Sequence, residues 1–148
     1  MHGIIHTYII KNVLNGGKRM IIVCVDDHPI VLKGLAQDIL HILPEAIIHT
    51  FKNVDEAFAF VKNNGCDVLI SEIELYGTNG LVFARKVKEL YPEVNIIFLT
   101  VCDEKEYARE VLDIRPSGYL LKPARKEQLE CEFKNLRYCI NPIKAVSM

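Results

Sequence analysis

Five apolar runs of strand length alternate with five stretches of helical period, and this alternation constrains the fold more than any other feature of the chain. Met20 to Val25 is a continuous apolar run that ends in Asp26-Asp27-His28-Pro29, which reads as a buried strand, a loop, and a helix with proline in its first turn. Leu32, Leu35, Ile39 and Ile42 recur at helical spacing before Pro44, and Ala46 to Phe51 gives a short second strand. Asn53, with Glu56 three residues on, predicts the cap of a helix buried through Val54, Ala57, Phe58 and Val61 and closed by Gly65. The third strand runs through Val68, Leu69 and Ile70, after which Gly77 and Gly80 allow a turn. Leu81, Ala84, Val87 and Leu90 mark a third helix, and Asn95 to Thr100 a fourth strand. Asp103 and Glu106 then cap a fourth helix carrying Tyr107, Ala108, Val111 and Leu112. Gly118 to Lys122 is the fifth strand, and Leu129, Phe133, Leu136 and Ile140 line the fifth helix. The pattern predicts an α/β fold with a doubly wound five-stranded parallel sheet and helices on both faces.

In such a sheet, chemistry sits beyond the carboxyl ends of the strands. Asp26 and Asp27 follow the first strand, Glu72 the third, Thr100 closes the fourth and Lys122 the fifth. Three carboxylates brought together repel unless a cation lies among them, and oxygen donors of this kind suit Mg²⁺ with a phosphate oxygen completing its shell. A hydroxyl at Thr100 and an ammonium at Lys122 would flank the other oxygens of a tetrahedral anion. Carboxylate, metal, hydroxyl and lysine together describe acyl-phosphate chemistry on a side chain.

The blocks VDDHPIVLKGL (Val25 to Leu35), DVLISEI with GTNGL (Asp67 to Leu81), IIFLT (Ile96 to Thr100) and GYLLKP (Gly118 to Pro123) resemble the receiver domain of two-component response regulators. The wording of the first block is most similar to the branch joined to helix-turn-helix output domains. The resemblance implies a flavodoxin-like strand order. It implies Mg²⁺ held by Asp26, Asp27, the residue at position 72 and the backbone carbonyl of Glu74. It further implies that Thr100 moves toward a phosphoryl group, Lys122 pairs with it, Tyr119 follows as an aromatic switch, and the Lys122-Pro123 peptide is cis. A sensor histidine kinase, another signalling protein, or a second copy through the face of the fourth helix, fifth strand and fifth helix are the implied partners. DNA enters only through an output domain outside this chain, and activity beyond self-phosphotransfer and self-dephosphorylation is not expected.

The sequence departs from the family where the family carries its phosphoacceptor aspartate, because Glu72 stands there. One more methylene advances the carboxylate by about 1.3 Å, whereas catalytic placement tolerates about 0.5 Å. Such a carboxylate, near Lys122 and Thr100, would partly imitate the activated state, with one charge where a phosphorylated side chain carries about −1.5 to −2. Val101 stands where a small residue usually leaves room for donors, Tyr76 where a proline usually shapes the loop, and Glu74 adds a charge that would crowd and weaken the metal site. The expectation is an atypical receiver acting as a switchable interaction module. The alternative is a conventional receiver phosphorylated on Glu72. A flavin- or nucleotide-binding protein on the same architecture is the third reading, and the sequence contains neither a Walker loop nor GxGxxG for it.

A chain of 148 residues, half of them hydrophobic, has material for one core. A net charge of −1, without a basic stripe, argues against direct nucleic-acid binding. Five cysteines without a CxxC point to reduced thiols in the cytoplasm, and no apolar run is long enough for a bilayer. The expected organisation is a leader or extension over 1–19, a receiver over 20–141 and a tail over 142–148. Ile4 to Ile10 within the leader is either an extra strand or an upstream or tag-derived segment. Whether the chain stands alone or belongs to a longer regulator is open at this point.

Overall fold

A computed structural model describes residues 19–138. The leader, its candidate strand, Cys139, Ile140 and the tail lie outside the described residues. Seven strands and five α-helices follow in chain order: β1 Ile21–Val25, α1 Pro29–Ile42, β2 Ile47–Phe51, α2 Val54–Asn64, β3 Val68–Ser71, β4 Glu74–Leu75, β5 Thr78–Asn79, α3 Gly80–Leu90, β6 Asn95–Thr100, α4 Ala108–Ile114, β7 Gly118–Leu121 and α5 Lys126–Lys134. Five strands form one sheet in the order β2-β1-β3-β6-β7, every pair parallel. β4 and β5 make a separate antiparallel hairpin around Gly77, whose φ of 73° is open to glycine.

The parity of the strand residues sorts the core onto two faces. Val23, Val25, Leu69, Ile96 and Phe98 pack under α2, α3 and α4. Ile22, Cys24, Val68, Ile70, Ile97 and Leu99 pack under α1 and α5. The continuous apolar runs are thus buried from both sides, as a parallel sheet requires. A fully buried Ile, Leu or Phe contributes about 1.5–3 kcal/mol, so these central strands outweigh local signals such as the Asn53 cap, worth about 1 kcal/mol. That cap forms as expected, with Asn53 Oδ1 accepting from the Glu56 amide at 2.9 Å.

Three details depart from the sequence reading. Leu90 is 44% exposed, because Tyr91 takes over the packing at the end of α3 and donates its hydroxyl to the Val61 carbonyl, while Phe83 is buried about two turns earlier. The expected fourth helix divides into a 3₁₀ turn, Glu104–Tyr107, capped by Asp103, and the seven-residue α4. Val111 and Ile114 fill the inward side of α4, and Leu112, about 100° round from Val111, is 76% exposed. The described part of α5 buries Leu129 and Phe133, with Leu136 packed at its margin.

Two glycines carry opposite expectations. A Cβ on Gly80, at the start of α3, would stand 1.9 Å from the Glu72 carbonyl oxygen, whereas one on Gly34 within α1 would meet nothing within 4 Å. In urea unfolding, Gly80→Ala should lose about 3 kcal/mol, because the obstruction is backbone. Gly34→Ala should gain up to about 1 kcal/mol. A harmless Gly80→Ala would show that α3 does not press on the Glu72 peptide.

Candidate functional site

The parallel ladder delivers the candidate residues to one sheet edge. Val25 pairs with Ser71 and Thr100 with Leu121, so Asp26, Glu72 and Lys122 each emerge one residue past a strand end. Main-chain bonds extend the ladders by that residue: Asp26 donates to Phe51 (3.2 Å), Glu72 to Val25 (3.0 Å) and Lys122 to Thr100 (2.8 Å).

The side chains then meet. Lys122 Nζ lies 2.5 Å from Asp26 Oδ2 and 2.8 Å from Glu72 Oε2. The side chains of Asp26 and Glu72 are 4% and 2% exposed, and that of Lys122 is 13% exposed. Burial alone would lower the lysine pKa, but hydrogen bonds and charge from Asp26 and Glu72 outweigh it and hold the ammonium above its ordinary range. The second oxygen of Glu72, Oε1, accepts from the Ile73 amide at 2.7 Å. Both oxygens of Glu72 are therefore engaged within the protein, and the extra methylene is what lets the carboxylate span from Lys122 to the next peptide N–H.

Asp26 and Asp27 share a third neighbour from the loop that follows them. His28 Nδ1 is 2.9 Å from Asp26 Oδ1 and 3.0 Å from Asp27 Oδ1. Only the contact with Asp26 has hydrogen-bond geometry, and Asp27 Oδ1 is a buried atom with no hydrogen-bond partner. Asp27 Oδ2 accepts from the Tyr76 amide at 2.8 Å and so anchors the β4–β5 hairpin, while Tyr76 itself is 94% exposed. Two adjacent carboxylates with an orphaned buried oxygen fit a divalent cation, and Asp26 and Asp27 are the residues here that would hold one.

Thr100 is fully buried, and its Oγ1 accepts from the Cys102 amide at 3.1 Å. The partner of this hydroxyl is thus the chain just beyond it. The Cys102 carbonyl in turn accepts from the Tyr119 hydroxyl at 2.7 Å, and the Tyr119 ring lies against Phe98. Burial, with Cys102 beside it, raises the phenol pKa. The Lys122-Pro123 peptide is cis. Val101, next to Thr100 in the chain, is exposed.

Glu74 corrects an expectation. Its carboxylate turns away from Asp26 and Asp27: Oε1 accepts from the Tyr107 hydroxyl at 3.3 Å, beside Cys102 and Glu106. The Glu74 carboxylate thus falls in a group separate from that of Asp26, Asp27 and His28. His28 and Cys102 are the residues that sequence reasoning missed. The adjacency of His28 to two acids was the available signal for the first, and Cys102 acts through its backbone, which leaves no signal in residue type.

The raised lysine pKa fixes a pH dependence. Below the ordinary lysine value of 10.5 the ammonium is charged in both states and its full stabilisation is present; as pH rises through the higher folded value that stabilisation is lost. Lys122→Met, which strands two buried carboxylates, should lose about 3–5 kcal/mol in urea unfolding at pH 7. The gap from wild type should stay level to about pH 10 and narrow above it. A gap that is already narrowing between pH 7 and 9 would contradict the pairing.

A family model described as the response regulator receiver domain matches residues 22–134. The oxygen regulatory protein NreC of Staphylococcus haemolyticus (strain JCSC1435) is 35% identical over 111 residues, which are 74% of this chain and 51% of that protein. NreC of Staphylococcus carnosus (strain TM300) is 34% identical over 111 residues, with the same coverage of 74% and 51%. The chain spans about half the length of the curated relatives it matches. Among solved structures, the chemotaxis protein CheY4 of Vibrio cholerae superimposes with a TM-score of 0.72 at 22% identity, over 79% of this chain and 98% of that one. A CheY-like receiver domain protein from Methanospirillum hungatei JF-1 gives 0.73 at 20% identity, over 79% and 92%. These likenesses extend the flavodoxin-like topology, and the match over residues 22–134 places the chain in the response regulator receiver domain family of two-component signalling.

Proposed function

We propose that the chain is an atypical receiver in which Glu72, at the phosphoacceptor position, is held by Lys122 instead of being phosphorylated, and that it works as a switchable protein-interaction module. The observation that carries this reading is the bridge from Glu72 Oε2 to Lys122 Nζ, 2.8 Å, with Oε1 turned back onto the Ile73 amide. An acceptor must present a free oxygen in line with its donor, and neither oxygen of this 2% exposed residue is free. Lys122 keeps the pairing role that it would have with a phosphoryl group, with weaker effect, since the carboxylate carries a single charge.

Switching on this reading runs through Cys102. Its N–H holds Thr100 and its carbonyl holds Tyr119, so a shift of Thr100 toward the pocket pulls the same peptide that anchors the aromatic ring. Asp26, Asp27 and the Glu74 carbonyl would bind Mg²⁺, weakly, because Lys122 already neutralises part of the acidic charge. Val101 and Tyr76, 66% and 94% exposed, rim the entrance where a donor would approach. The partner is a histidine kinase or another signalling protein. A second copy would dock on the face of α4, β7 and α5, where Leu112 and Leu121 are exposed. The coverage of about half of each curated relative is what an output domain elsewhere in a longer regulator would produce.

Intact mass after incubation with acetyl phosphate and Mg²⁺ tests the proposal, with Glu72→Asp beside the wild type. The wild type should gain nothing, and the aspartate variant should gain one phosphoryl group. A hydroxylamine-labile phosphoryl group on the wild type would instead make Glu72 a working acceptor. Glu72→Ala should also alter self-association in sedimentation velocity, and identical behaviour of the two proteins would remove the switch.

A further inference from the structure

We infer that His28 supplies a nitrogen ligand to the cation site of Asp26 and Asp27, so that the pocket takes a divalent transition metal in preference to magnesium. This rests on the cation site put forward under the proposed function and adds to it a ligand and a metal class. Pro29 opens α1, and the residue before a proline is restricted to extended backbone; His28 has φ −108° and ψ 105°. The His28 amide donates to Asp26 Oδ1 at 2.9 Å, which folds the loop back and lays the imidazole over both acids. One nitrogen, Nδ1, and one oxygen from each aspartate converge, all within 4.8 Å of one another.

The spacing is that of a coordination edge. In an octahedral shell with ligands at about 2.1 Å, neighbouring donors stand about 3.0 Å apart. Nδ1 lies 2.9 Å from Asp26 Oδ1 and 3.0 Å from Asp27 Oδ1. A cation inserted among them takes the place of the contact between Nδ1 and Asp26 and gives the orphaned, buried Asp27 Oδ1 its missing partner. The positive end of α1 opposes a cation at this place, and the two carboxylates offset it. Donor chemistry then sets the preference: magnesium favours oxygen alone, whereas imidazole favours cobalt, nickel and zinc, in the general order of affinity for nitrogen and oxygen sites. Glu74 with Cys102 and Glu106 forms a second cluster, but Glu74 is already engaged with Cys102 and Tyr107.

Equilibrium dialysis of the full chain against Mg²⁺ or Co²⁺, with the cobalt absorption spectrum recorded, tests the inference on wild type, His28→Gln and Asp27→Asn. Co²⁺ should bind the wild type at least about tenfold tighter than Mg²⁺. His28→Gln should cut Co²⁺ affinity by about tenfold or more and change the spectrum, while Mg²⁺ affinity stays within about twofold. Asp27→Asn should weaken both ions. Unchanged Co²⁺ affinity and spectrum in His28→Gln would show that His28 is not a ligand and overturn the inference, leaving the cation site itself standing where Asp27→Asn still loses Mg²⁺. No Mg²⁺ binding by the wild type, or none lost in Asp27→Asn, would remove the cation site and the inference together.

Discussion

The ammonium of Lys122, set between Asp26 and Glu72, is the interaction on which the rest of the site depends. Two carboxylates at the edge of a buried sheet are costly, and each becomes affordable only with a partner close enough to offset its lost hydration. The parallel ladder supplies that partner from β7, two strands away from β3 in the sheet, by ending every strand at one edge. Fold and charge balance are thus one problem: a register slip of one residue would turn Asp26, Glu72 and Lys122 to the other face and leave them apart.

Around this centre the peptides are held by few contacts, each with a separate job. Gly80 lets α3 begin against the Glu72 carbonyl, where any side chain would collide. Asp27 fastens the β4–β5 hairpin through the Tyr76 amide, so the loop beside the pocket is tied to β1 and not only to its own strand. Cys102 joins the hydroxyl of Thr100 to that of Tyr119 through a single residue's backbone. At the opposite end of β6, Asn95 accepts from Ser117 and from the Tyr138 amide, and so pins the chain beyond α5 to the base of the sheet.

The parallel sheet was legible because buried strands need continuous apolar runs, and Ile22 to Val25, Val68 to Ile70 and Ile96 to Leu99 have them. The edge residues were legible because polar groups that close such runs have few other reasons to recur together. The β4–β5 hairpin was not, since strands of two residues carry no period. Leu112 and Leu90 were misplaced for a related reason: periodicity says which residues share a stripe but not how long the helix stays over the sheet. The partner of Glu74 is Tyr107, from a segment far along the chain, and the approach of His28 to both aspartates depended on a local turn closed by a backbone amide.

Family membership fixes the architecture, and on the proposed reading the methylene that separates glutamate from aspartate is what distinguishes this pocket. The central claim is that Glu72 and Lys122 are coupled directly. A double-mutant cycle of Glu72→Gln and Lys122→Met, read by urea unfolding at pH 7, measures that coupling. The account predicts an interaction energy of about 1–3 kcal/mol between the two sites. Additive losses, agreeing within about 0.3 kcal/mol, would contradict it.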